Sequence, residues 1–111
     1  MNKVCKDHEQ CNKYHPHNIE EENYIEMSVL FKMLSDPTRL KILSVLLDDE
    51  LCVSAICEIL GISQSAVSHQ LAKLRANKVI KVRSEGTNKF YSLDDIHIKE
   101  LFECGFEHIK E

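Results

Sequence analysis

Two short pairings of histidine with carboxylate, Asp95-x-His97 and His108-x-x-Glu111, are the residues of this sequence best suited to holding a metal ion. His97 and His108 stand eleven positions apart. On a helix turning about 100° per residue, eleven steps return to within roughly 20° of the same face. The two histidines therefore point the same way, but lie about 16 Å apart along the axis at ~1.5 Å per residue. Metal–ligand bonds are only about 2 Å long, so one helix cannot close both pairs on one ion. An antiparallel copy of the helix from a second chain removes the difficulty. Asp95 and His97 of one chain then meet His108 and Glu111 of the other, and a two-fold homodimer makes two such sites. Two imidazoles and two carboxylates suit tetrahedral zinc or cobalt better than soft cadmium or lead. Taken singly, the same four side chains read as solvated residues on a helix surface.

The hydrophobic pattern gives the elements that must position these pairs. Residues 1–18 are polar, carry Cys5, His8, Cys11, His15 and His17, and lack a helical period. They read as a flexible tail ahead of one compact domain, 19–111. From about Ile19 to Ser35 the pattern is helical, with Tyr24, Met27, Val29, Leu30 and Leu34 at apolar positions. Asp36-Pro37 suits the N-cap and first position of a second helix, whose buried stripe is expected at Leu40, Leu43, Leu46 and Leu47 before Asp48-Asp49-Glu50 ends it. Leu51, Ile56, Ile59 and Leu60 form a short helix closed by Gly61, which permits a left-handed turn. Ser63 caps the next helix, Gln64 to about Ala76, with Val67, Leu71 and Leu74 facing inward. Helix, glycine turn, helix is the helix-turn-helix signature. At its cap and on its second helix Ser63, Gln64, Ser65, Ser68, His69 and Gln70 are the expected DNA contacts, the helix residues having the polarity and reach to meet base edges. Val79–Arg83 and Lys89–Leu93 flank a glycine-containing turn and predict a β-hairpin, a wing beside the recognition helix. Asp94 or Asp95 opens a last helix with Ile98, Leu101, Phe102 and Ile109 as its apolar set. The expected fold is mainly α with a small β-hairpin, a winged helix-turn-helix.

Composition narrows the partners. The net charge is −4, yet between residues 62 and 91 Lys73, Arg75, Lys78, Lys81, Arg83 and Lys89 stand against Glu85 alone, a local +5. A basic module in an acidic body binds phosphate through its local field, and Lys73, Arg83 and Lys89 are its natural phosphate contacts, although a solvated helix face explains a run of this size equally well. There is no apolar run near the roughly 18 residues that span a bilayer, and the N-terminus lacks a signal-peptide pattern. No membrane partner and a cytoplasmic location are expected. Five cysteines, irregularly spaced, do not form a secreted disulfide framework and read as thiols, ligands or core residues. Cys57 is expected to be buried, and Cys104 to pack at an interface. Ser65 and His69 lie four apart on one helix, but nothing orients them and no oxyanion or phosphate loop accompanies them, so an enzyme is not expected.

Three blocks, Leu34-Ser35-Asp36-Pro37-Thr38-Arg39-Leu40-Lys41-Ile42-Leu43, Glu50-Leu51-Cys52-Val53 and Ser63-Gln64-Ser65-Ala66-Val67-Ser68-His69-Gln70-Leu71, resemble in order and spacing the ArsR/SmtB family of metal-sensing repressors. The resemblance runs from about Met27 to the C-terminus. It implies a winged-helix homodimer that binds double-stranded operator DNA when metal-free and dissociates with metal, typically near an efflux or sequestration gene. It also implies that Asp95, His97, His108 and Glu111 form a C-terminal-helix site, with zinc as effector and cobalt, nickel or cadmium as other choices. A ligand histidine would hydrogen-bond toward the recognition helix near His69. The family's second, thiolate-type site is matched only in part: Cys52 stands at its first position, with Ser54 and Ala55 where further ligands are found. Cys5 and Cys11, with His8, could complete a site with Cys52. That leaves a cadmium- or lead-type or thiol-redox sensor as the alternative, and a metal buffer as a non-regulatory one.

Overall fold

The computed structural model describes residues 18–111; Cys5, His8 and Cys11 lie outside them. Five helices and one hairpin follow in order: α1 (Glu21–Met33), α2 (Pro37–Val45), α3 (Val53–Leu60), α4 (Gln64–Ala76), β1 (Ile80–Glu85), β2 (Asn88–Leu93) and α5 (Ile96–Lys110). This is the expected mainly α winged helix-turn-helix.

Local chemistry sets most boundaries. The Asp36 carboxylate accepts the Arg39 backbone N–H at 2.9 Å, and Pro37, with no N–H to satisfy, takes the first turn of α2. Gly61 ends α3 at φ 67°, a conformation that costs other residues a Cβ clash. Two residues later the Ser63 hydroxyl accepts from the Ala66 N–H and starts α4. α4 ends without glycine. Lys78 takes φ 59°, while the Val79 N–H reaches the Leu74 carbonyl and the Lys78 N–H that of Arg75. This is a Schellman closure, with Val79 and Leu74 both buried beside it.

The core lies under the helix-turn-helix. Ile42, Leu43 and Leu46 come from α2 and its end, Ile56 from α3, and Val67, Leu71 and Leu74 from α4; Val79, Ile80, Leu93 and Ile98 close it from the hairpin base and α5. β1 and β2 pair antiparallel from Ile80↔Leu93 to Glu85↔Asn88, turning at Gly86 with φ 64°. The wing thus projects from a buried root toward an exposed tip.

Three expectations about the core need correction, those for Leu51, Leu40 and Cys57. Leu51 is not helical: it exchanges two backbone hydrogen bonds with Tyr91, at 2.9 and 2.7 Å, and adds a one-residue bridge to the wing. Leu40 is exposed rather than part of the buried stripe, because α2 turns only one narrow face to the core; Ile59 on α3 is exposed as well. Cys57 is half-buried, packed at the core's edge. No residue of α1 is buried; only Leu30 and Met33 in its last turn, and Leu34 beyond it, touch the core. The apolar side chains Phe31, Leu34, Leu40, Leu101, Phe102 and Phe106 line an open groove between α1, α2 and α5.

Candidate functional site

The outer side of α4 exposes Gln64, Ser65, Ser68, His69 and Lys73. Val67, Leu71 and Leu74 hold the opposite face in the core, so burial fixes which way the polar residues look. Ser63, expected to meet DNA, has its hydroxyl engaged as the N-cap. Gln70 is half-buried, and its Oε1 accepts a hydrogen bond from Arg39 Nη1 at 3.2 Å. His69 makes no hydrogen bond to His97 or His108 among the described residues. Sequence reasoning did not single out Arg39, the partner of Gln70. Its position in the first turn of α2, just after the end of α1, was the available signal, since a long donor there can reach the last carbonyls of the preceding helix.

On the wing, Lys89 is exposed opposite Ser84. Arg83 is half-exposed and already occupied. Its Nε and Nη2 donate to the Glu50 carboxylate, the shortest contact being 2.7 Å, and its Nη1 donates to Glu85 at 2.7 Å. The guanidinium also lies 5.0 Å from the centre of the Phe90 ring. The hydrogen bond from Arg83 holds the Glu50 carboxyl below the usual carboxylate range, and the two acids raise the Arg83 pKa further. All three groups are open to water, so this pair is weakly held and exchangeable. Glu50 was also missed. Nothing in the sequence puts it beside the wing until Leu51 is known to bridge to Tyr91.

The expected metal ligands fall at the two ends of α5. The Asp95 carboxylate caps the helix, accepting the His97 N–H at 2.9 Å, and its Oδ1 lies 3.4 Å from His97 Nδ1. Desolvation, which raises the Asp95 pKa, is outweighed by hydrogen bonds from the His97 ring and backbone, leaving the carboxyl below its usual value. A carboxylate has about four lone-pair sites, and capping leaves room for a further ligand bond. His108 and Glu111 are exposed one helix-length away. Among the described residues no three His, Cys, Asp or Glu converge on one point. One chain therefore places one imidazole beside a carboxylate at the start of α5 and carries a second histidine and glutamate, His108 and Glu111, at its end. This donor set fits a borderline divalent cation, provided a second chain completes it. Near the same end of α5, Lys99 donates to Asp48 at 2.7 Å and fastens the helix to the loop after α2. The bond to Asp48 raises the Lys99 pKa.

Of the thiolate candidates, Cys52 is half-buried at the N-cap of α3, and Ser54 and Ala55 follow it. Cys5 and Cys11 lie outside the described residues. Cys104 is exposed on α5. No helix of the described residues is long and apolar enough to cross a membrane.

Comparison with known proteins bears on both surfaces. Residues 36–81, from the cap of α2 into β1, match the family model described as bacterial regulatory protein, arsR family. The chain is 37% identical over 103 residues to a transcriptional repressor SmtB homolog from Synechocystis, covering 93% of this chain and 78% of that one. It is 41% identical over 95 residues to a cadmium resistance transcriptional regulatory protein CadC homolog from Staphylococcus aureus, covering 85% of this chain and 78% of the relative. Among solved structures, HlyU from Vibrio cholerae superposes with a TM-score of 0.75 at 35% identity, covering 83% of this chain and all of that one.

Proposed function

The chain belongs to the arsR family of bacterial regulatory proteins, a family of DNA-binding regulators and not of enzymes, and from that premise we propose that it is a metal-responsive repressor. It binds operator DNA as a metal-free homodimer and releases it on binding zinc or a similar divalent cation. The observation that carries this reading is the division of α5 into two half-sites. Asp95 and His97 stand side by side at one end, His108 and Glu111 at the other, too far apart to act together within one chain.

The open apolar groove beside α5 supports pairing of two chains, because a small core gains stability by covering such a surface. In an antiparallel pair of α5 helices, Asp95 and His97 of one protomer bring an imidazole nitrogen and a carboxylate to His108 and Glu111 of its partner. A bound cation supplies a bridge between the chains there. The residues' own part is to fix how the two α5 helices lie. Through Ile98 in the core and the Lys99–Asp48 bond, that placement bears on each helix-turn-helix. Any arrangement favoured by the filled site over the DNA-bound one lowers operator affinity, and by linkage DNA lowers metal affinity by the same factor. On the DNA side, Gln64, Ser65 and Ser68 are exposed for base edges and Lys73 and Lys89 for phosphates, while Arg83 reaches a phosphate only by giving up Glu50 or Glu85.

The test is operator affinity with and without zinc for the wild-type chain, His97→Ala, His108→Ala and a Cys5→Ser/Cys11→Ser double variant. Both histidine variants should keep metal-free binding and lose zinc-induced release, while the cysteine variant should respond like wild type. Release that survives in either histidine variant removes α5 as the sensor. Loss of the response in the cysteine variant alone transfers it to a thiolate site with Cys52. Running cobalt, nickel and cadmium in parallel ranks the effectors.

A further inference from the structure

The first helix and the recognition helix are far apart in sequence, yet two side chains, Arg39 and Asn77, link them. Arg39 Nε donates to the Met33 carbonyl at 2.8 Å and Nη2 to the Lys32 carbonyl at 3.2 Å, which also accepts the Ser35 N–H, so the guanidinium binds the C-terminal end of α1. The third arm of the same guanidinium, Nη1, reaches Gln70 Oε1 on α4 at 3.2 Å. The planar fork is what allows three acceptors from two helices to be met at once. The root of Arg39 is also fixed, since its N–H is the one held by the Asp36 cap at 2.9 Å. A second link runs alongside. Asn77, the residue that ends α4, directs its Nδ2 at the Met33 sulfur, 3.3 Å away, while holding the Lys73 carbonyl at 2.9 Å. Arg39, Met33 and Gln70 are half-buried, whereas Lys32 and Asn77 are exposed.

We propose that Arg39 is a positioning residue for DNA recognition: its guanidinium clamps the end of α1 to Gln70, so that the set of the recognition helix is fixed from α1. Gln70 then serves as the acceptor of the clamp and not as a reader of a base. The proposal rests on the DNA-binding reading above and deepens it. α1 has no buried residue of its own, and its last turn contributes Phe31 to the open apolar groove. Whatever covers that groove sets the lie of α1, and the clamp passes that lie to the helix that faces DNA. Because Arg39 is spent on protein acceptors, it contributes no phosphate contact.

The experiment is a double-mutant cycle on Arg39→Ala and Gln70→Ala, with Arg39→Lys as a third variant. The probe is a duplex selected by the wild-type chain from a randomised pool, with a scrambled duplex for comparison. Each single variant should lower the ratio of selected to scrambled affinity roughly tenfold, the scale of one hydrogen bond from a charged donor. The double variant should be no worse than the singles. Arg39→Lys should behave like Arg39→Ala, since an ammonium lacks the fork. The salt dependence of binding should not change, whereas loss of a phosphate contact flattens it by about one ion. Thermal melts confirm that each variant is folded at the assay temperature. Additive losses in the cycle, or a flattened salt dependence in Arg39→Ala, overturn the clamp while leaving the DNA-binding reading intact. Altered preference at a single base pair in Gln70→Ala, with Arg39→Ala unaffected, restores Gln70 as a base reader and also overturns it. A wild-type chain that selects no duplex overturns both readings together.

Discussion

Phe106 offers the most direct measure of the proposed subunit contact. It sits on α5 with 54% of its surface exposed, at the edge of the groove that Phe31, Leu101 and Phe102 continue. Full burial of a phenylalanine side chain is worth about 1.5–3 kcal/mol. Roughly half of that remains to be gained when a partner covers the groove, or ~1 kcal/mol. A two-fold dimer counts every contact twice, so Phe106→Ala should weaken association by about 2 kcal/mol, near thirtyfold in the dimer dissociation constant. The substitution removes little that the single chain uses, because the ring is already half in water, and the melt of the monomer should scarcely move. Sedimentation equilibrium across a dilution series reads the constant directly. Ile59→Ala is the control. It removes an equally exposed apolar side chain, 59%, from α3 and away from the groove, and should leave association unchanged. If Phe106→Ala and Ile59→Ala give the wild-type constant alike, the groove between α1, α2 and α5 is not the interface. A wild-type chain that stays monomeric at micromolar concentration refutes the reasoning at its root.

Two further substitutions test local features. Lys78 pays a Cβ penalty at φ 59° that glycine does not, so Lys78→Gly should raise stability by about 0.5–1 kcal/mol after its larger unfolded-state entropy is counted, seen as a melting temperature higher by a few degrees; a lower one would mean that the Schellman closure is not strained. Glu50→Gln should free Arg83 for phosphate, strengthening binding to any duplex severalfold and steepening its salt dependence. The same variant has a pH signature. Glu50 titrates lower in the folded chain than unfolded, so its contribution is complete above the ordinary glutamate range near about pH 4.3 and is lost as pH falls through the folded value. The wild-type chain should therefore out-melt Glu50→Gln at neutral pH and converge with it in acid; a constant difference across that range would assign the effect elsewhere.

The elements were legible because their signals are local. Asp36-Pro37, Gly61, Ser63 and Asp95 each act through a hydrogen bond or a φ value within their own turn, and each does so in the structure. The hairpin followed from two β-rich runs around Gly86. What escaped the sequence was everything set by tertiary neighbours. Leu51 looks like the first residue of a helix until the Tyr91 backbone captures it. Arg83 looks like a free phosphate contact until Glu50 and Glu85 close on it from two elements. Leu40 and Ile59 fit an apolar period, but a helical period says only that residues share a face. It does not say whether that face meets the core, a second chain or water. The spacing of Asp95, His97, His108 and Glu111 along α5 was legible for the opposite reason: a rigid helix converts sequence distance into spatial distance without reference to any neighbour.

That rigidity also ties the metal reading to the subunit reading. The two proposed half-sites are held about 16 Å apart by α5 itself, and neither can be completed by bending the helix. Only a second copy, lying antiparallel along the stretch between them, brings complementary donors to both ends together. That stretch carries Leu101, Phe102 and Phe106, the α5 side of the open groove. The surface that would hold two chains together is thus the same surface that sets the distance from Asp95 and His97 to the partner's donors. On the proposed reading, dimer strength and cation affinity are two readings of one equilibrium. A contact that weakens pairing raises the cation concentration needed for release, because more of the binding free energy is spent on assembling the site. Saturating cation should conversely drive a weakened dimer back together. A sensor whose ligands lay within one chain would show neither effect, and that contrast follows from the placement of four residues on a helix of known pitch.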